Sequence, residues 1–335
     1  MKALTFKRYG KSPDIGFSDV AQPDLKSDEL LVEVYAAGLN PIDNMIPTGM
    51  FKPILRYDLP ATMGSDLAGV VRRVGSKVTR FKPGDEVFAS LFDLGTGSLS
   101  EFAAVPEHAA ALKPETLDFV QAASVPMVGL TSWQALKERA GVKRGHKVFI
   151  PAGSGGIGTF AIQLATHLGA TVGTTTSTGN VQFVKDLGAH EVIDYKIESF
   201  EKKLYEYDAV LGTLRGDEIE KSVKILKRGG QIVSLIGPID AAFAVSRGMN
   251  VFMQFIFSMM SRKIRRLADK RGIAYSFLFV RPDGHQLSEI SHLLTTQEIR
   301  PVIDKVFPFS QAPEALDYVA KGHARGKVVV RLKDE

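Results

Sequence analysis

A glycine-rich turn is the clearest chemical signal in the sequence. Residues 153–158 read Gly-Ser-Gly-Gly-Ile-Gly, which fits the pattern G-x-G-x-x-G with one extra glycine, between an apolar run at 148–150 and a helical apolar stripe. Glycines here let a pyrophosphate approach the backbone, and the amide groups that begin the helix attract its charge. We predict a dinucleotide-binding turn, with a tight turn without a ligand as the alternative. Its binding residues would be Gly153, Ser154, Gly155, Gly156, Ile157 and Gly158.

The stretch after the next predicted strand indicates which dinucleotide binds. NAD-specific sites hold the ribose 2′-hydroxyl with an acidic residue about 20 positions after the glycine turn. Residues 174–180 read TTTSTGN, and the next carboxylate is that of Asp186. Because no negative charge would repel a 2′-phosphate there, the sequence predicts NADPH as the cofactor.

Composition excludes several kinds of chemistry. The 335 residues include no cysteine, which removes disulfides, thiol nucleophiles, iron–sulfur clusters and thiolate zinc sites. A net charge of +5 without a concentrated basic face argues little for nucleic acid and is better explained by solvated surface lysines, and we expect a small-molecule substrate and no nucleic acid. The most apolar window, 251–260, is too short to span a bilayer, so no stable membrane insertion is expected. The N-terminus MKALTFKRYG has no apolar signal core, and we therefore expect a cytoplasmic protein.

The elements that must position the glycine turn follow two different secondary-structure patterns along the chain. Short β-type runs with Gly and Pro between them fill the first ~120 residues, at 30–35, 68–74 and 86–89. From about residue 126, strands and helices alternate, which predicts an α/β fold with a doubly wound parallel sheet. Predicted helices lie at 130–140, 158–168, 180–187, 219–226, 287–295 and 313–321, and predicted strands at 147–150, 171–175, 191–193, 209–211, 231–235, 276–280 and 327–332. Strands with Pro between them recur in the tail, so both ends of the chain could form one domain.

One segment interrupts this alternation. Residues 241–271 are rich in Met and Phe and end in a basic cluster at 262–266. We predict that 251–260 forms a buried helix, with a cover over an apolar substrate or a contact with a membrane surface as the alternatives. The basic cluster is interpreted as a solvated helix face.

An ordered set of motifs resembles a known family. The set comprises GLNPID at 38–43, GSDLAG at 64–69, VGS at 74–76, PGD at 83–85, GLT at 129–131, AGSGGIG at 152–158 and GHARGK at 322–327. With this set the chain resembles the medium-chain dehydrogenase/reductase superfamily, and within it the zinc-free quinone oxidoreductase branch, which includes zeta-crystallin, the plant chloroplast-envelope quinone oxidoreductase and alkenal/enone reductases. The resemblance implies a Rossmann dinucleotide-binding domain at 124–280 and a β-rich GroES-like catalytic domain formed by 1–123 and 281–335.

The resemblance also implies a reaction. Zinc-dependent members have a cysteine after the second strand region and Gly-His-Glu where this chain has Gly64, Ser65 and Asp66. Without those ligands, the expected reaction is hydride transfer from NADPH to a quinone or an α,β-unsaturated carbonyl held between the two domains. A non-enzymatic NADPH-binding or partner-binding protein, and a zinc-independent carbonyl or alcohol oxidoreductase, are the alternatives. The resemblance allows a homodimer, joined through an edge strand of the nucleotide domain, or a monomer.

Individual site residues follow from the resemblance. Asn40 matches a position beside the nicotinamide, although it could be only a turn asparagine; Asp43 would orient Asn40, relay a proton or cap a helix. Met45 replaces the tyrosine of related quinone reductases, which leaves solvent or a cofactor ribose hydroxyl as the proton source. The remaining cofactor-binding positions would be Ser177, Asn180 and Tyr195 around the 2′-phosphate, and Thr131, Ile236, Gly237, Phe279 and Val280 on the nicotinamide side. Helix caps, surface polar groups and core strand ends are the alternatives for these residues.

Overall fold

A computed structural model describes residues 1–214 and 216–334 of the chain. It divides into two compact units: Met1–Leu130 together with Val280–Glu335, and Thr131–Phe279. The division falls after Leu130 rather than at the predicted position after residue 123. Within the first unit, the backbone N–H of Met127 donates to Asp66 Oδ1 at 3.0 Å. The predicted end of the domain, Glu335, lies outside the described residues.

The strands and helices are numbered along the chain. The strands are β1 (Lys2–Phe6), β2 (Ile15–Asp19), β3 (Glu29–Leu39), β4 (Ala61–Thr62), β5 (Asp66–Val74), β6 (Glu86–Ser90), β7 (Phe102–Pro106), β8 (Ala110–Leu112), β9 (Lys147–Ile150), β10 (Thr171–Thr176), β11 (Glu191–Asp194), β12 (Tyr207–Gly212), β13 (Leu226–Ser234), β14 (Ala274–Phe277), β15 (Ile303–Pro308) and β16 (Lys327–Arg331). The helices are α1 (Pro41–Met45), α2 (Phe119–Ala123), α3 (Pro126–Trp133), α4 (Gly156–His167), α5 (Val181–Asp186), α6 (Glu218–Ile225), α7 (Ala241–Ser246), α8 (Val251–Asp269), α9 (Gly284–Thr295) and α10 (Ala312–Ala320).

The second unit is built on a parallel sheet. Its strands lie in the order β11-β10-β9-β12-β13-β14, and every neighbouring pair is parallel. This is the 3-2-1-4-5-6 order of dinucleotide-binding sheets, with β9 as the first strand. The apolar stripe of α4 includes Phe160, Ile162 and Leu164, all buried, so the predicted α/β class and Rossmann sheet are confirmed.

The first unit is mainly antiparallel. In the described residues its larger sheet has the order β15-β16-β3-β5-β6-β8, with β7 paired to β3, and a smaller sheet has the order β2-β1-β4. Long apolar strands such as β3 are buried on both faces, which gives this unit its own hydrophobic core around Leu30, Val32, Leu67 and Val87. Strand β16 pairs with β3, so the C-terminal tail does join the N-terminal part in one unit, as predicted.

The segment 241–271 differs from the expectation in two ways. Residues 241–271 form two helices, α7 and α8, where the sequence showed no clear period. Helix α8 is not buried along 251–260, because Val251, Phe252, Phe255, Met259 and Met260 are exposed. The predicted buried helix is therefore wrong in its burial: only one face of α8 packs on the unit.

Candidate active site

Three neighbouring strands bring a set of polar side chains together inside the first unit. Strand β3 lies between β16 and β5, with Leu39 opposite Val328 and Gly38 opposite Asp66. The registers place Lys327, the first residue of β16, and Asp66, the first residue of β5, beside Asn40, which follows β3. All three side chains are buried. We call Asn40, Asp43, Ser65, Asp66 and Lys327 the polar cluster.

The amide group of Asn40 is at the centre of the polar cluster. Its Nδ2 donates to Ser65 Oγ at 3.0 Å and to Asp66 Oδ2 at 2.9 Å, while its Oδ1 accepts from Lys327 Nζ at 2.6 Å. An asparagine amide has two donor hydrogens and an acceptor oxygen. Both hydrogens and the oxygen are therefore already engaged within the protein, and the side chain is held in one orientation.

Asp66 and Lys327 form a buried ion pair within the polar cluster. Lys327 Nζ lies 3.4 Å from Asp66 Oδ2, and Asp66 Oδ1 accepts from the backbone N–H of Met127. Burial raises the pKa of the Asp66 carboxyl and lowers the pKa of the Lys327 ammonium, and the attraction between the two charges opposes both effects. The pair depends on these mutual contacts, because an isolated buried charge is strongly unfavourable.

Asp43 caps α1, and its buried carboxyl has a raised pKa. Its Oδ2 accepts from the backbone N–H of Asn40 at 2.8 Å, which is the helix-capping arrangement that the sequence suggested. Its Oδ1 has no hydrogen-bond partner in the described part of the chain, and Asp43 lines a cavity of about 10 Å³ together with Tyr57 and Thr62. Burial raises the pKa of the Asp43 carboxyl to about 7. The group therefore exchanges a proton near neutral pH.

The glycine turn of the second unit has the close packing that a phosphate-binding turn needs. A Cβ added at Gly153 would lie 2.2 Å from Thr174 Oγ1, and one at Gly158 would lie 2.4 Å from the carbonyl oxygen of Ala152. These glycines let α4 begin directly against β10. At Gly155, the N-cap of α4, an added Cβ would meet only an ordinary contact at 3.5 Å. The backbone at Gly155 is thus open to a ligand, and α4 directs its free amide groups there.

Neutral donors surround this turn at the carboxyl ends of β10 and β11. Ser154 Oγ lies 3.1 Å from Thr176 Oγ1 and 3.4 Å from Asn180 Nδ2, which also lies 3.2 Å from Ser177 Oγ. The backbone N–H of Tyr195 donates to Thr176 O at 3.1 Å, and the ring is largely exposed. The structure therefore brings the predicted residues Ser177, Asn180 and Tyr195 next to the glycine turn. The hydroxyl and amide groups of Ser154, Thr176, Ser177 and Asn180 can donate to a phosphate-bearing ribose. The carboxyl group that ends β11, that of Asp194, lies opposite Thr176 and accepts from the backbone N–H of Lys196.

Comparison with known proteins places both units in one family. Residues 26–115 match the model described as Alcohol dehydrogenase GroES-like domain, and residues 187–330 match the model described as Zinc-binding dehydrogenase. The chain is 34% identical to NAD(P)H oxidoreductase RTN4IP1, mitochondrial, of Danio rerio, over 100% of this chain and 92% of that protein. It is also 34% identical to the NADPH-dependent alkenal/one oxidoreductase, chloroplastic, of Arabidopsis thaliana, over 98% of this chain and 79% of that protein. The solved structure of the quinone oxidoreductase from Coxiella burnetii matches with a TM-score of 0.85 and 31% identity, covering 99% of each chain.

The chain belongs to the quinone oxidoreductase branch of the medium-chain dehydrogenase/reductase superfamily. The resemblance drawn from its motifs is confirmed. The first unit is the GroES-like domain of this family, and the second is its Rossmann domain.

The zinc ligands of related dehydrogenases have no equivalents in the polar cluster of this quinone oxidoreductase homologue. Ser65 and Asp66 stand where the resembling zinc enzymes have His and Glu, and Asp66 is neutralised by the ammonium group of Lys327. An amide, a hydroxyl and a lysine ammonium are not a zinc ligand set. Among residues 1–214 and 216–334, no group of three or more His, Cys, Asp or Glu side chains is arranged to hold a metal ion.

The cofactor-binding residues predicted for the nicotinamide side differ in their burial and in their contacts. Thr131 is buried in α3, and Ile236, just after β13, is 43% exposed. Gly237 has a φ of +99° and its carbonyl accepts from Ser234 Oγ. Phe279, after β14, packs on Phe243 with ring centroids 5.3 Å apart, and Val280 is half-buried. Their place beside the nicotinamide stays a prediction.

Sequence reasoning missed part of both sites. It treated Ser65 and Asp66 only as replaced zinc ligands, did not assign a role to Lys327, and did not single out Thr176. A signal for Lys327 was present, because a lysine that begins the apolar strand KVVVR is out of place in a buried strand unless it has an anionic partner. Its partner Asp66 lies 261 positions earlier, and only the sheet register joins them.

Proposed function

We propose that the protein is an NADPH-dependent reductase of quinones or α,β-unsaturated carbonyls that works without zinc. The carboxylate-free group of Ser154, Thr176, Ser177 and Asn180 beside the glycine turn carries this proposal. The names of similar proteins, an NADPH-dependent alkenal/one oxidoreductase and a quinone oxidoreductase, support the same substrate classes. The substitutions at Ser65 and Asp66 support a reaction that needs no metal.

The residues of the second unit would hold the cofactor. The amide groups at Gly155 and Gly156 would bind the pyrophosphate, and Ser177, Asn180 and Tyr195 would donate to the 2′-phosphate. Thr131, Ile236, Gly237, Phe279 and Val280 are proposed to contact the nicotinamide side. When bound, NADPH supplies the hydride that reduces the acceptor.

Within the polar cluster, Asn40 and Asp43 are proposed as positioning residues. The amide of Asn40 has no free hydrogen for a substrate oxygen, so its contribution is to hold the start of α1 against β5 and β16. Asp43 fixes the same turn through the backbone N–H of Asn40. A change of either residue would then alter the orientation of the adjacent backbone, which lowers turnover more than it lowers cofactor affinity.

The reaction consumes one proton for each hydride transferred to the acceptor. Hydride addition leaves negative charge on the acceptor oxygen, and a proton must then reach the enolate carbon or the quinol oxygen. Met45 stands where related quinone reductases have a tyrosine, so we propose that the proton comes from solvent or from a ribose hydroxyl of the cofactor. Asp43 is buried and acts on the local backbone rather than on the acceptor.

A spectrophotometric assay tests the proposal. Oxidation of NADPH is followed with a small quinone, with a short-chain enone and with a simple aldehyde, and each measurement is repeated with NADH. We expect turnover with the quinone or the enone and a lower KM for NADPH than for NADH. If NADPH binds but no acceptor oxidises it, the proposed enzymatic activity is refuted. If only the aldehyde is reduced, the protein is a carbonyl reductase instead.

Matched variants separate the residues' roles. Asn40→Ala should lower kcat with little change in the Kd for NADPH, whereas Asn44→Ala, next to the polar cluster but outside it, should change neither. An unchanged rate in Asn40→Ala would remove Asn40 from the mechanism.

In the described residues no helix is long and apolar enough to cross a membrane. The cytoplasmic location and a homodimer stay predictions; two of the similar relatives are named as mitochondrial or chloroplastic.

A further inference from the structure

The outer face of α8 exposes a row of large apolar side chains. Val251, Phe255 and Met259 follow one another at intervals of four residues, so they lie in one row along the helix. Val251 is 79% exposed, Phe255 is 63% exposed, and the neighbouring Phe252 is 69% exposed. Isolated exposed apolar residues are common, but a contiguous group with two phenylalanines marks an interaction surface.

The fold of the second unit does not need this apolar row. The opposite face of α8 carries the packing, because Phe257, Ser261, Ile264 and Ala268 are buried at intervals of four, three and four residues. Ile264 and Ala268 belong to the hydrophobic core that also contains Phe149 and Ile232. The packing of α8 therefore depends on the opposite face, while the row itself is largely exposed.

The same face becomes basic towards the end of α8. Arg262 and Arg266 continue the row at three and seven residues after Met259, and both are exposed. Arg265 and Lys263 are also exposed, and Lys263 pairs with Glu220 at 2.6 Å. One helix face thus presents an apolar first half and a cationic second half.

We propose that this face of α8 attaches the protein to the surface of an anionic lipid bilayer. The helix has 19 residues, which corresponds to roughly 28 Å, and it would lie parallel to the surface. Its phenylalanines would enter the boundary between head groups and acyl chains, as interfacial amphipathic helices do. Its arginines would bind lipid phosphates in charge-assisted hydrogen bonds. The attachment is peripheral and requires no spanning helix.

Charge complementarity favours a lipid surface over a second copy of this chain. A second copy seated on α8 would bring its own Arg262, Arg265 and Arg266 to a surface that already carries these three cations, whereas Lys263 is paired with Glu220. An anionic bilayer neutralises these charges and accepts the phenylalanines at the same time. The proposal is independent of the proposed reductase activity, since it concerns binding alone.

Cosedimentation with vesicles tests the attachment. The full chain is mixed with vesicles of phosphatidylcholine alone or of phosphatidylcholine with phosphatidylglycerol, at low and at high salt. We expect binding to the mixed vesicles that weakens as salt rises. Phe252→Ser combined with Phe255→Ser should lower the partition coefficient by about tenfold or more, and Arg262→Glu combined with Arg266→Glu by about twentyfold or more.

Matched controls use equally exposed residues of the same unit. Ile197→Ser with Tyr205→Ser removes two apolar side chains that are 76% and 69% exposed, and Lys185→Glu with Lys202→Glu makes the same change in net charge. These variants should bind like the parent protein, and thermal unfolding checks that every variant is folded. The proposal is overturned if the parent protein does not bind the mixed vesicles, or if the phenylalanine variant binds them equally well. It is also overturned if the phenylalanines instead support a dimer in solution without vesicle binding.

Discussion

Replacement of Lys327 by methionine should strongly destabilise the first unit, because it leaves a buried carboxylate without its counter-charge. The side chains of Lys327 and Asp66 are 5% and 0% exposed. In Lys327→Met, Asp66 keeps the N–H of Met127 and the amide of Asn40, but it loses the ammonium. Asn40 Oδ1 loses the ammonium donor at the same time. The volume of the side chain is nearly conserved, so the effect is electrostatic.

The expected cost is about 3–5 kcal/mol at pH 8, which is typical when one partner of a buried pair is removed. Burial already raises the pKa of Asp66, and loss of the ammonium raises it further. A carboxyl whose pKa is higher in the folded than in the unfolded protein stabilises the fold at low pH and loses this contribution as the pH rises through the folded pKa. The difference between variant and parent should therefore be smaller at about pH 5 than at pH 8.

Urea denaturation followed by circular dichroism measures this difference at both pH values. Lys333→Met is the matched control, because Lys333 pairs with Glu33 at the surface, where its side chain is 48% exposed. An exposed pair contributes about 0–1 kcal/mol. The reasoning is refuted if Lys327→Met lowers the free energy of unfolding no more than Lys333→Met does. It is also refuted if the loss caused by Lys327→Met is no smaller at about pH 5 than at pH 8.

Three further outcomes follow from the two sites. Because burial raises the pKa of Asp43 to about 7, this group should lower the free energy of unfolding by about 1.4 kcal/mol for each pH unit as the pH rises from 4 to 7. Asp43→Asn should flatten that slope in urea denaturation, and an unchanged slope would contradict the assignment. Ser177→Asp should raise the KM for NADPH about tenfold or more relative to Ser177→Ala and change the KM for NADH little; equal effects on both cofactors would place Ser177 away from the 2′-phosphate. Gly158→Ala should lower the melting temperature because its Cβ would lie 2.4 Å from the Ala152 carbonyl oxygen. Gly155→Ala should keep the melting temperature and weaken NADPH binding. Calorimetry would contradict this if Gly155→Ala had the lower melting temperature of the two variants.

Elements with a strong local pattern were predictable from the sequence. Strand 147–150 was predicted at its observed bounds, and α4 begins two residues before its predicted start. A glycine turn between an apolar strand and a helix is set by neighbouring residues, so its place and the class of ligand that it binds can be inferred locally. The exposure of α8 was not predictable in this way. Its apolar residues occur on both faces, and which face is buried depends on the sheet against which it packs.

The sequence by itself determined the family, the parallel nucleotide-binding sheet and the carboxylate-free stretch after β10, since each can be read from short motifs or from the order of local elements along the chain. The tertiary structure decided the polar cluster. Lys327 and Asp66 are far apart in sequence, and they meet only because β16 and β5 lie on either side of β3. It also decided that Asn40 has no free amide hydrogen, because hydrogen bonding is settled by partners that the register of three strands brings within reach.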